Sequence, residues 1–209
     1  MPLRLMPIGG SITHGVGSTD GNGYRKYLHD ILLHHGYNIE MVGSRKKGST
    51  DTYRHEGWRG FRIDQIKNKA KQCVETLRPN IFTVNAGSND CVQNFQLSEV
   101  ERRITGLVEY LWMASPRSTI ILSTLLVNSD KEVDSRMVYT NDQICNVAEK
   151  MLSRQKKLVF VDMRSVIGPR MVDLMDGTHP NDEGYARMAQ VWFRGFQEAE
   201  KKGLLSKLD

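Results

Sequence analysis

Apolar residues in this chain alternate between two rhythms. Short runs of strand length cover residues 3–8, 38–42, 80–86, 119–124 and 158–162, and the stretches between them repeat their apolar positions with helical spacing. In the first such stretch Tyr24, Tyr27, Leu28, Ile31 and Leu32 line one helix face, and Gly36 offers a left-handed stop. Residues 63–77, 97–113, 135–152 and 181–202 have the same spacing. Strict alternation of strand and helix predicts an α/β fold, a three-layer α/β/α sandwich with a five-stranded parallel sheet, because right-handed crossovers cover both sheet faces with helices. The longest irregular stretch is 44–60, rich in charge and glycine. With no internal repeat or linker, the 209 residues are expected to form a single domain over 1–209.

Sheets of this kind bind ligands at the carboxyl ends of their strands, beside the point where strand order reverses. The residues just after each strand therefore carry the functional prediction. After the first strand comes Gly9-Gly10-Ser11-Ile12-Thr13. A phosphate-binding P-loop needs Gly-Lys-Ser/Thr, which the chain lacks, and the dinucleotide pattern that starts at Gly15 fails at Asp20. Ser11 is the remaining candidate, a hydroxyl among small neighbours whose own N–H is free to donate. After the third strand, Asn89 in Gly87-Ser88-Asn89-Asp90 offers an amide donor for an oxyanion, and Asp90 a cap or brace. After the fifth comes Asp176-Gly177-Thr178-His179-Pro180-Asn181. An Asp three residues before a His can fold back to accept the Nδ1 proton and leave Nε2 to take one from a serine. A plain turn, an Asx turn or an Asn N-cap would account for each motif singly. Three of them at one edge of one sheet point to a single chemistry.

Composition narrows the picture without changing it. Hydrophobic residues make up 39% and charged residues 25% of the chain, as in an ordinary globular protein. No run approaches the roughly 20 apolar residues that cross a bilayer, so no membrane partner is expected. The net charge of +5 is carried by Lys and Arg spread from Arg4 to Lys207, with no basic stripe interleaved with aromatics. That reads as a solvated surface, with no nucleic acid partner. Cys73, Cys91 and Cys145 lack metal-site spacing, and no metal is expected. They are three buried thiols or, in an oxidising compartment, one bridge and one thiol, with Cys91–Cys145 the pairing the layout favours.

The blocks GGSIT, GSND and DGTHP, with a loop glycine between the first two, resemble those of the SGNH (GDSL-like) hydrolase superfamily, whose fold is flavodoxin-like. Within it, MPIGGSITHGVGSTDGNGYRKYL, MVGSRKKG, HEGWRGFRIDQI and NAGSNDC are similar to the acetylesterases of carbohydrate esterase family 3. The resemblance implies Ser11 as nucleophile, His179 as base and then acid, and Asp176 as the carboxylate that orients it. It implies an oxyanion hole of the Ser11 N–H, the Gly60 N–H and the Asn89 side chain. Gly43 and Gly57 lie in the same region, and Gly60 is preferred because the sequence after it leads into a helix. Trp58 would stack on a sugar or pack in its loop; His55 would line the pocket or brace the loop. The implied activity is hydrolysis of acetyl esters of xylan or related carbohydrates, by an extracellular or else cytoplasmic monomer that needs no cofactor. One departure stands out: Gly10 occupies the place where the family usually has Asp. It leaves open a catalytically impaired carbohydrate-binding domain, whereas a lysophospholipase or thioesterase would need a long acyl groove of which the sequence gives no sign.

Overall fold

The computed structural model describes residues 3–47 and 50–205. In chain order it contains β1 (Leu3–Gly9), α1 (Ser11–His14), α2 (Tyr24–His34), β2 (Ile39–Met41), β3 (Glu56–Gly57), α3 (Ile63–Ala70), α4 (Val74–Leu77), β4 (Ile81–Asn85) and α5 (Ser88–Val92). Then follow α6 (Val100–Ala114), β5 (Thr119–Ser123), α7 (Lys131–Ser153), β6 (Leu158–Val161) and α8 (Asp182–Lys201), with 3-10 turns at Leu97–Glu99 and Met171–Asp173.

All five predicted strands are present and parallel, in the order β2-β1-β4-β5-β6. A sixth, β3, lies within the stretch expected to be irregular and pairs with Ile8 and Gly9, just beyond the reach of β2 on β1. Two residues are too few to show a strand rhythm. The inner strands are buried on both faces, as a parallel sheet between helical layers requires. Met6, Ile8, Phe82, Val84, Ile120 and Leu122 pack in one core with Ile66, Leu107 and Ile144 of α3, α6 and α7. Leu5, Ile81 and Ile121 pack in the other, with Leu28 of α2 and Trp192 of α8. The chain leaves β1 toward β2 and later returns past β1 to β4, so the reversal of strand order, and the crevice it creates, falls between β1 and β4.

Several boundaries differ from expectation for local reasons. α7 starts at Lys131 rather than 135, because the Asp130 carboxylate accepts the N–H groups of Glu132 and Val133. The 63–77 segment is two helices, separated where the Gln72 and Cys73 N–H groups bond to the carbonyls three residues back. The expected Cys91–Cys145 bridge is absent and all three cysteines are free. The Cys91 thiol donates instead to Thr140 Oγ1 at 3.3 Å, and Cys145 lies five residues further along α7, on another face of that helix. No helix among the described residues is long and apolar enough to cross a membrane.

Candidate active site

The Ser11 turn follows from how tightly β1 ends. A Cβ on Gly9 would overlap the Asn85 carbonyl of the adjacent β4 and Thr13 Oγ1 of the returning chain, so only glycine fits. α1 then begins at Ser11, whose N–H belongs to the first turn and has no partner within the helix. At Gly10 a Cβ would lie 3.0 Å from Asn89 Nδ2, a tight contact, and 3.9 Å from the Trp58 carbonyl. The turn is held from below. Arg25, fully buried, donates to the carbonyls of Thr13 (3.0 Å), His14 (3.1 Å), Gly21 (3.2 Å) and Tyr53 (3.0 Å). Burial lowers its pKa only to about 10, so it remains a cation at neutral pH.

The Asp176–His179 segment folds back as its spacing requires. Asp176 Oδ1 accepts the backbone N–H groups of Thr178 (3.0 Å) and His179 (2.8 Å), and Oδ2 accepts from His179 Nδ1 at 2.8 Å. His179 Nε2 lies 2.8 Å from Ser11 Oγ. Burial raises the pKa of Asp176, but the hydrogen bonds from the His179 backbone and ring and from Thr178 outweigh it and hold the carboxyl below its usual range. The Ser129 N–H donates to the Gly177 carbonyl at 2.8 Å, and Asn128 Nδ2 to Thr178 Oγ1 at 3.0 Å. Asn181 also caps α8, accepting the Gly184 N–H at 3.0 Å, so both readings of this motif hold at once.

The third component is the turn from Trp58 to Phe61. The Phe61 N–H donates to the Trp58 carbonyl at 3.2 Å with Gly60 at φ +77°, a type II turn that favours glycine at its third position. The Trp58 N–H donates to the Gly9 carbonyl at 2.9 Å, which sets this turn beside the end of β1. Asn89 Nδ2 donates to the Phe61 carbonyl at 3.0 Å, and Gln93 Nε2 to the Gly60 carbonyl at 3.1 Å. Of the three glycines weighed for the oxyanion hole, Gly57 has its N–H committed to His55 Nδ1 at 2.9 Å, and Gly43 is walled in by the His55 backbone. The Gly60 N–H makes no hydrogen bond among the described residues. Gly10, Ser11, Phe61, Asn85, Gly87 and Asn89 together line a small hollow in the crevice.

Of the two readings given for His55 and for Trp58, the geometry favours bracing and packing. His55 is buried, accepts the Gly57 N–H, and meets the His14 ring edge-on at 5.3 Å. The Trp58 ring stacks on Phe61 at 5.5 Å and is flanked by the Arg45 guanidinium at 4.3 Å and the Lys69 ammonium at 4.5 Å. Its Nε1–H is held by Glu56 at 3.0 Å, so the ring is a packed loop element. Sequence reasoning missed Arg25 and Arg103. Arg103, on α6, pairs with buried Asp90 at 2.6 Å and with Asp64 at 2.7 Å, while Asp90 also accepts the Ile63 N–H that starts α3. Burial raises the Asp90 pKa against the pull of Arg103. Asp90 therefore braces the loop that carries Gly60. The helical spacing did hold a signal, because Arg25 lies three residues before Leu28 and seven before Leu32 on the buried stripe of α2.

Residues 8–187 match the GDSL-like Lipase/Acylhydrolase family. A "Multidomain esterase" of Ruminococcus flavefaciens is 32% identical over an alignment of 219 positions that covers 91% of this chain and 28% of that protein, so the chain spans just over a quarter of its relative. Among solved structures, a family 3 carbohydrate esterase of Clostridium thermocellum superposes with a TM-score of 0.84 at 23% identity, covering 99% of this chain and 100% of the other. A carbohydrate esterase family 3 protein from Talaromyces cellulolyticus gives 0.80 at 21% identity, covering 96% and 99%. At these identities the structural likeness speaks for the fold. The sequence match, running from the end of β1 into α8, takes in the elements that carry Ser11, Asn89, Asp176 and His179, and the chain belongs to the GDSL-like lipase/acylhydrolase family.

Proposed function

We propose that this chain is a serine esterase that removes short acyl groups, acetyl above all, from carbohydrates such as xylan. The observation that carries the reading is the continuous hydrogen-bonded chain from Ser11 Oγ through the His179 ring to the Asp176 carboxylate, 2.8 Å at each step. With the Nδ1 proton held by Asp176, Nε2 presents a lone pair to the hydroxyl. Ser11 gives its proton to His179 and attacks the ester carbonyl, forming a tetrahedral intermediate. The N–H groups of Ser11 and Gly60 and the amide of Asn89 stabilise the oxyanion. The intermediate collapses to the acetyl-serine as His179 protonates the departing alcohol. Water, deprotonated by His179, attacks the acetyl group, and the second intermediate releases acetate and restores Ser11. The small hollow beside Ser11 supports a short acyl group, and the likeness to two family 3 carbohydrate esterases supports a carbohydrate as the alcohol.

The test compares hydrolysis of an acetyl ester and a long-chain acyl ester by wild type and Ser11→Ala, both checked for folding. Acetyl turnover that is faster than long-chain turnover and falls by about 10⁵-fold or more in the variant is the expected result. A folded wild type that turns over neither ester would refute the reading in favour of a carbohydrate-binding domain.

A further inference from the structure

The chain's positive charge is not spread evenly. Residues 44–71 hold nine Lys and Arg against three Asp and Glu, a surplus of six, whereas the whole chain carries net +5, so the remainder has one net negative charge. This segment runs through β3 and the Trp58–Phe61 turn into α3, the side of the crevice that presents Gly60. Its three acids are already engaged. Asp51 pairs with Lys46 and Arg54, Asp64 with Arg103, and buried Glu56 accepts from the Ser44 N–H and Trp58 Nε1. None of them pairs with Arg45, Arg59, Arg62 or Lys69. Arg45 Nε is buried without a hydrogen-bond partner. The field reaches the nucleophile segment, where, after burial, Arg45, Arg25 and Arg59 lower the pKa of His14.

We propose that this wall selects acetylated polysaccharides that carry carboxylate groups, an inference that rests on the esterase reading of Ser11. Aromatic rings hold the cations in place: Arg45 and Lys69 flank Trp58, and Arg62 lies over Phe95 at 4.0 Å while donating to Gln93 at 2.7 Å. Cations ordered before the ligand arrives lose less side-chain freedom on binding. A guanidinium matches a carboxylate with two parallel hydrogen bonds. A single-stranded nucleic acid would need open aromatic faces for its bases, and here cations lie over both Trp58 and Phe95. A polymer with a carboxylate on many of its sugars fits a segment that carries six more cations than acids and contributes Phe61 and Ile66 to the hollow beside Ser11.

The experiment uses an acetylated polyuronate and the same polymer with its carboxylates reduced to alcohols, acetylated to equal degree. At low salt, kcat/KM for the polyuronate should exceed that for the reduced polymer by about tenfold, mostly through KM. At 0.5 M NaCl, where screening acts within about 4–5 Å, the two should approach each other. Arg59→Gln combined with Lys69→Gln should lower the ratio several-fold, and Lys201→Gln on α8 should leave it unchanged. Equal rates on both polymers at low salt, from a protein that hydrolyses p-nitrophenyl acetate, would overturn the proposal and leave the esterase reading intact. Duplex DNA that inhibits as strongly as unacetylated polyuronate would overturn it too, by showing an unselective field. If p-nitrophenyl acetate is not hydrolysed either, the esterase reading fails and this proposal falls with it.

Discussion

Two histidines flank the segment that carries Ser11, and their surroundings are opposite in sign. His179 donates from Nδ1 to a carboxylate, and its Nε2 lies against Ser11 Oγ. His55 packs against His14, three residues beyond Ser11, and its Nδ1 accepts the Gly57 N–H. An acceptor at Nδ1 fixes the tautomer with a basic Nε2; a donor at Nδ1 fixes the other one and blocks protonation there. Charge makes the same distinction. His179 faces Asp176, whereas burial, then Arg25, His14 and Arg45, push the His55 pKa down to about 2. His55 is thereby kept neutral and structural, whereas the proposed base, His179, has a carboxylate beside it. The residue type is shared; the partner at Nδ1 decides the role.

Asp176→Asn breaks this contrast most directly. An asparagine can turn its NH₂ toward Nδ1 and give His179 the tautomer of His55, with Nε2 protonated and useless as a base. Turnover of an acetyl ester should fall by about 10³- to 10⁴-fold. The Asp176 side chain is 49% exposed, so unfolding by urea should change little. A variant that keeps a tenth or more of wild-type turnover would remove Asp176 from the proposed role. Asn89→Ala probes the same site one step away from the histidine. Loss of one oxyanion donor should lower kcat by about 10²- to 10³-fold with a small change in KM, because the donor acts mainly on the intermediate. A rise in KM at constant kcat would instead make Asn89 a ground-state contact.

The fold was legible because its strands are short apolar runs and its chemistry follows them within a few residues. Ser11, Asn89, Asp176 and His179 each sit in a local motif, and a parallel sheet gathers strand ends at one edge. What escaped reading depends on contacts distant in sequence. β3 has two residues and exists only because β1 offers it an unpaired edge beyond β2. Arg25 and Arg103 lie on the buried stripes of amphipathic helices, where a charge breaks the pattern and reads as its edge. Their acceptors come from other segments: backbone carbonyls from Thr13 to Tyr53 for Arg25, and Asp64 and Asp90 for Arg103. For His55 and Trp58 the sequence left a contact with substrate open beside bracing and packing, for a related reason. A polar or aromatic residue in a charged loop reads as exposed, and the pairing of β3 with β1 draws this loop inward.

The smallest of the three effects tests the structural histidine alone. The unfolded chain carries His55 near the ordinary value of 6.5, and the fold lowers it to about 2, so between these values the unfolded state binds the extra proton. The stability it contributes is therefore complete above about pH 6.5 and is lost as pH falls below that value, by up to about 1.4 kcal/mol for each pH unit. His14 is shifted in the same direction and adds to the slope. His55→Asn keeps an oxygen that can accept the Gly57 N–H and cannot titrate. Urea unfolding at pH 7.5 and pH 5.5 should then show a loss for wild type that exceeds the loss for the variant by about 1 kcal/mol. Equal losses would mean that His55 holds its proton in the fold as readily as in the unfolded chain, and the contrast with His179 would then rest on hydrogen-bond geometry alone.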